Sequence, residues 1–112
     1  MKIIKVNETP ILDTPHKVDA RRLYDKDNAQ AVHIRLKPGE SLKPHITPVD
    51  VFFFVLEGSP EILIGEDKQV VEENCLVESP KDILHCIYNK SENDVRVLVV
   101  KAPRPIAKTK LL

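Results

Sequence analysis

The stretch GESLKPHITPVDVFFFVLEG, residues 39–58, combines a turn, a histidine and a long apolar run. Six consecutive apolar residues occupy positions 51–56, which is the pattern of a strand covered on both faces. Gly39 and Gly58 mark turns at the two ends of the stretch. The stretch therefore predicts a buried strand, and His45 lies on the approach to it.

Short β-rich runs continue on both sides of this stretch. Nine prolines divide the chain into segments that are mostly too short for a helix of several turns. At most one short helix fits near the N-terminus, around residues 18–24. Because many short strands occur without βαβ alternation, the predicted fold class is all-β, a sandwich or barrel. The predicted strands cover residues 31–36, 51–56, 61–64, 69–72, 76–77, 83–88 and 95–100, with a hairpin turn at 65–68.

Composition limits the partners that the chain can attract. Its 112 residues include 17 Lys and Arg and 17 Asp and Glu, so no basic excess favours nucleic acid. No apolar run approaches the roughly 20 residues of a spanning helix, so we expect no membrane association. We expect a cytoplasmic protein with Cys75 and Cys86 reduced. The length predicts one domain over residues 1–112, with an N-terminal arm and edge strands at 1–30, the barrel at 31–100 and a tail at 101–112.

From Pro38 onward the sequence resembles the cupin superfamily. The resemblance implies a double-stranded β-helix, which is a jelly-roll barrel, and a homodimer. It covers slightly under half of the chain. The positions that fall on the spacing of the two family motifs are Gly39, His45, Gly58, Pro80, His85 and Asn89.

The sequence departs from the family pattern at four positions. Thr47 and Val51 stand where the family has a second histidine and a glutamate, and both of those are metal ligands in the family. Asn74 and Asp82 stand where the family has glycines. Asn and Asp tolerate a left-handed backbone better than most residues, so we expect these two changes to cost the fold little.

A metal site is the first interpretation of His45 and His85. The resemblance implies a metal-dependent enzyme on a small molecule, dioxygenase- or isomerase-like, with Zn, Fe, Ni or Mn. Imidazole suits such ions, but two protein ligands are fewer than the usual three of catalytic zinc. A carboxylate from Asp50 would complete a triad. Strand alternation places Val51 on the inner side instead, so Asp50 turns inward only if a bulge occurs near Pro48.

A metal-free small-metabolite binding or sensing module is the alternative. In this interpretation the two histidines bind a polar ligand or exchange protons. An inert remnant of a metal-binding ancestor is a third interpretation. Whether the protein is an enzyme, and on which substrate, stays open. The remaining residues of the predicted ligand pocket are Thr47, Val51, Phe53 and Asn89.

Other candidates are assigned no role in the site. His33 alternates with the apolar face of its strand and is expected outside the core, and His16 lies in a polar, proline-flanked stretch. Phe52 and Phe54 face outward if Phe53 faces inward. Apolar residues on an outer face favour burial against another sheet or a second subunit, and the second possibility agrees with the expected homodimer.

Overall fold

The structure, a computed structural model, describes residues 1–106 and 110–111. The described residues form ten strands and one turn of 3-10 helix, and no helix among them is long and apolar enough to cross a bilayer. The 3-10 helix is Val6–Glu8. The strands are β1 (Asp19–Lys26), β2 (Ala29–Leu36), β3 (His45–Ile46), β4 (Asp50–Glu57), β5 (Glu61–Ile64), β6 (Asp67–Val70), β7 (Leu76–Ser79), β8 (Leu84–Tyr88), β9 (Val95–Ala102) and β10 (Lys110–Leu111).

The strands form two five-stranded sheets. The first has the order β1-β2-β9-β4-β7 and the second β10-β3-β8-β5-β6, and every pairing is antiparallel. Two such sheets with a shared core are a jelly roll. The all-β prediction of a double-stranded β-helix is therefore confirmed.

Residues 18–24, where at most one short helix could fit, belong mostly to β1, whose pairing with β2 buries Ala20 in the core, and this agrees with that limit. One local prediction is wrong. The strand expected at 69–72 begins earlier, as β6, and the hairpin turn contains two residues rather than four. Gly65 has a φ of +61°, which permits so tight a turn.

The core lies between the sheets and follows strand alternation. Val51, Phe53 and Val55 point inward from β4 and are at most 5% exposed. Phe52 and Phe54 point outward and are half-buried within one chain. The expected homodimer through this outer face stays a prediction.

His33 differs from its expected exposure. It does point away from the core between the sheets, yet it is only 2% exposed. The guanidinium of Arg96 lies 3.1 Å from its Nε2 and also donates to Glu57. Side chains of the outer sheet face therefore cover His33, which alternation alone does not reveal.

The turns use left-handed backbone where the family pattern has glycine. Asn74 and Asp82 adopt φ of +65° and +64°, so both positions do tolerate the replacement. Gly58 has a φ of +82°, and a Cβ there would lie 2.5 Å from the carbonyl oxygen of Asp94. Gly39 has a φ of +85° but open space around it.

Gly58→Ala is expected to lower the free energy of unfolding by more than about 2 kcal/mol. The left-handed conformation costs an L-residue roughly 1–2 kcal/mol, and the backbone clash adds to this cost. Gly39→Ala is the matched control, since it meets the conformational cost without the clash. Urea denaturation of both variants measures the difference, and equal losses would show that the contact with Asp94 does not matter.

Candidate functional site

His45 and His85 face each other across two strands. His45 in β3 pairs directly with His85 in β8, and directly opposed residues point to the same face of a sheet. Their Nε2 atoms lie 3.0 Å apart and their ring centroids 4.4 Å apart. They are 7% and 2% exposed, so the pair is buried at the cavity wall.

The hydrogen bonds fix where the protons lie. The Nδ1 of His45 is 2.7 Å from the carbonyl oxygen of Lys43, which only accepts, so this nitrogen carries the proton. In neutral His45 the Nε2 then accepts, and the N–H between the rings belongs to His85. The Nδ1 of His85 accepts from the hydroxyl of Ser79 at 2.7 Å. A continuous chain of hydrogen bonds therefore runs from the hydroxyl of Ser79, through both imidazoles, to the carbonyl oxygen of Lys43.

Thr47 lies beside this chain. Its Oγ1 is 3.1 Å from the Nε2 of His85, and the residue is 1% exposed. Phe53 packs against the same ring, with centroids 5.2 Å apart. Thr47 and Phe53 therefore hold the His85 imidazole in position on two sides.

His16 joins the cluster from the N-terminal segment. Its ring centroid lies 4.9 Å from that of His45. The backbone N–H of Lys43 donates to its Nδ1 at 2.8 Å, so neutral His16 carries its proton on Nε2. Lys43 thus binds two histidines, one through its N–H and one through its carbonyl oxygen.

The three histidines line a cavity of about 170 Å³ between the sheets. Lys101 enters the cavity from β9, beside Gln30 of β2, and Arg22 of β1 lies exposed at the mouth. Within residues 1–106, neither the side chain of Lys101 nor that of Arg22 forms a hydrogen bond or an ion pair, and no carboxylate lines the cavity. The nearby carboxylate of Asp25 is hydrogen-bonded to Gln30 and Arg104, and the charge of Arg22 also acts on it.

The basic groups of the cavity are shifted toward their neutral forms. Burial, followed by the charges of His45 and Lys101, lowers the pKa of His85 to about 3. Burial, followed by the same two charges, lowers the pKa of His16 to about 4. Burial also lowers the pKa of His45, and burial together with the charge of Arg22 lowers the pKa of Lys101. The imidazoles are therefore neutral near pH 7.

Comparison with known proteins identifies the family. A family model described as a cupin domain matches residues 32–101, which is more than half of the chain. The chain belongs to the cupin family. No curated protein matches this cupin.

Solved structures share the whole cupin fold with this chain. The polyketide cyclase RemF from Streptomyces resistomycificus is 20% identical, with a TM-score of 0.84, covering 100% of this chain and 85% of its own. TT1209 from Thermus thermophilus is 24% identical, with a TM-score of 0.80, covering 94% and 100%. KdgF from Halomonas sp. is 18% identical, with a TM-score of 0.82, covering 95% and 96%. At these identities the likeness shows the fold alone.

Of the residues predicted for the cupin site, Asn89 and Asp50 lie away from the histidines, and Thr47 contacts His85 without lining the cavity. Asn89 is buried, but it does not line the cavity: its amide donates to the carbonyl oxygens of Leu36 and Asn93 and organises a turn. Asp50 is exposed, and its Oδ1 accepts from the backbone N–H of Lys81 at 2.9 Å. No bulge turns Asp50 inward, because the irregularity in β4 falls between Val55 and Glu57. Val51, Phe53, His45 and His85 do line the cavity.

The donor set does not fit a resident divalent metal with three protein ligands. Nitrogens that share a tetrahedral zinc at about 2.0–2.1 Å lie about 3.3–3.4 Å apart, so the 3.0 Å between the Nε2 atoms of His45 and His85 is slightly short. No third donor joins them: among the described residues, no three His, Cys, Asp or Glu side chains are grouped for a metal. The Nδ1 of His16 is already occupied, and the nearby Lys101 repels cations.

Sequence reasoning missed three groups of this cavity. Ser79 pairs with Val51 and so faces inward, but the strand predicted at 76–77 ended before it. His16 comes from outside the motif region, and its link to Lys43 is purely tertiary. Lys101 was assigned to the tail, although the inward alternation of Val97 and Val99 continues to it.

Proposed function

We propose that this cupin binds a small organic acid without a metal, through Lys101 and Arg22. The observation that supports the proposal is that the charged side chains lining the cavity are all positive. Two cationic side chains have no hydrogen-bonded or ion-paired partner within residues 1–106, and no carboxylate lines the cavity. A buried cation without a partner is costly, and an anionic ligand removes that cost.

The size and polarity of the cavity further limit which ligands can bind. The volume of about 170 Å³ is below the roughly 300–1,000 Å³ of sites for drug-sized ligands, so a ligand of a few carbon atoms fits. Val51, Phe53 and Val99 provide apolar walls. The Nε2–H of His16 has no partner in the described part of the chain and can donate to a ligand oxygen.

A larger depression on the outside of the barrel is a weaker candidate. It measures about 380 Å³ and is lined by several charged residues of the N-terminal segment and β2. The cations there are paired or exposed: Arg35 pairs with Asp94 at 3.0 Å, Lys17 pairs with Asp13 at 3.3 Å, and Lys37 is exposed to solvent. The depression therefore offers no free charge comparable with Lys101.

A metal-dependent enzyme is the competing function. RemF is a polyketide cyclase, but at 20% identity it supports only the shared fold. Among the described residues, no third metal ligand joins the imidazoles of His45 and His85. The positive charge of Lys101 also disfavours a metal cation beside them. The metal-free proposal follows from these two observations.

The test uses L-lactate and its neutral isostere lactamide, both with EDTA present. Lactate at ten times its dissociation constant is expected to stabilise the protein by about 1.4 kcal/mol, raising Tm by roughly 5 °C. Lactamide is expected to leave Tm unchanged, because it lacks the charge that Lys101 and Arg22 recognise. Differential scanning fluorimetry and calorimetric titration measure both.

Two results would overturn the proposal. Equal shifts with lactate and lactamide would show that charge is not recognised. A stoichiometric metal ion in untagged protein by elemental analysis, together with binding abolished by EDTA, would favour the metal-dependent enzyme.

A further inference from the structure

The side chain of Lys101 is placed like a reactive amine rather than a surface charge. It is partly buried, and it extends from β9 into the cavity on the same face as Val97 and Val99. Surface lysines of this chain differ: Lys90 is exposed and forms an ion pair with Glu61 at 2.8 Å. No hydrogen bond or ion pair within residues 1–106 holds Lys101 in the ammonium form.

The surroundings of Lys101 make its ammonium group easier to deprotonate. Burial and the positive charge of Arg22 both act against its protonation and lower its pKa. A desolvated lysine next to a second cation is the arrangement that makes this side chain nucleophilic near neutral pH. Three neutral imidazoles, from His16, His45 and His85, line the same cavity.

We propose that Lys101 forms a Schiff base with a small 2-oxo acid bound in the barrel cavity. This inference rests on the proposed function, since the same acid site must first hold the ligand. In a 2-oxo acid the carbonyl carbon is bonded directly to the carboxylate carbon. Pairing of the carboxylate with Arg22 at the mouth therefore leaves the carbonyl for Lys101, deeper in the cavity.

The reaction needs no additional reactant. The amine lone pair of Lys101 attacks the carbonyl carbon, a C–N bond forms, and one amine proton passes to the carbonyl oxygen. The resulting hydroxyl group leaves with the second amine proton as water, and a C=N bond remains. The Nε2–H of His16 faces the same cavity without a partner in the described residues, so it can hydrogen-bond the departing oxygen.

The experiment traps the imine as a stable amine. Full-length protein is incubated at pH 7 with pyruvate and sodium borohydride, and then intact mass and peptide mapping locate the adduct. The expected result is one reduced pyruvate adduct per chain, on Lys101. Lactate has no carbonyl group and is expected to give no adduct while competing with pyruvate for the site.

Two variants separate covalent chemistry from binding. Lys101→Arg keeps a positive charge in the cavity and cannot form an imine, so it is expected to lose the adduct. Lys90→Arg removes an exposed, ion-paired lysine and is expected to keep the adduct at the wild-type level. Circular dichroism checks that both variants are folded.

The outcomes are distinguishable. Lactate binding without any borohydride-trapped adduct would overturn the Schiff base and leave the proposed function standing. Pyruvate spread evenly over many lysines would also overturn it, because Lys101 would then have no special reactivity. Failure of both acids to bind or react would overturn the inference together with the proposed function.

Discussion

Lys101→Met is expected to bind lactate about 10–100-fold more weakly than the wild type while unfolding at a higher temperature. A hydrogen bond to a charged group contributes about 1.5–3 kcal/mol, which sets the loss of affinity. Stability moves the other way, because the substitution removes a desolvated charge that has no partner in residues 1–106. Methionine has a similar length and lies in a cavity that Val99 and Phe53 also line, so a gain of about 1 kcal/mol follows.

Lys90→Met provides the matched control for this prediction. Lys90 is exposed and pairs with Glu61, so its loss should change neither lactate affinity nor Tm by a large amount. Calorimetric titration and urea denaturation measure the two quantities for each variant. A fall in both affinity and stability in Lys101→Met would mean that Lys101 supports the fold rather than the ligand.

Most of the fold can be predicted from local sequence signals. Alternation along β4 and β9 requires only neighbouring residues, and the turns are marked by glycine or by residues that tolerate positive φ. Asn74 and Asp82 illustrate the second signal, since both adopt the left-handed backbone expected of them. Local signals at 18–24 left a strand and a short helix both possible, because pairing of β1 with β2 is decided by tertiary contacts.

The candidate site is harder to predict because its residues come from segments that are distant in the sequence. Motif spacing leads to His45 and His85, which pair directly. Alternation puts Asn89 on the same face as His85, but four residues of strand separate them by roughly 13 Å, so Asn89 lies at the other end of the barrel. Lys101 was missed for a different reason: the predicted strand stopped one residue before it.

Acid is expected to destabilise this cupin steeply between about pH 6.5 and pH 4. In the folded chain the pKa values of His85 and His16 are about 3 and about 4, whereas unfolded histidine titrates near 6.5. Between these values the unfolded chain binds protons that the folded chain does not, so the free energy of unfolding falls as pH falls. Each histidine contributes a slope of at most about 1.4 kcal/mol per pH unit.

Urea denaturation at pH 7, 6, 5 and 4.5 measures this slope. His16→Gln should remove about one histidine's share of it, because glutamine does not titrate and its carbonyl can still accept from the N–H of Lys43. Constant stability from pH 7 to 4.5, or an unchanged slope in His16→Gln, would contradict the prediction.

Saturating lactate should make the slope shallower, because a carboxylate beside the imidazoles favours their protonated forms. Acid sensitivity and anion binding thus share one cause: several basic groups face a cavity that no carboxylate of residues 1–106 lines.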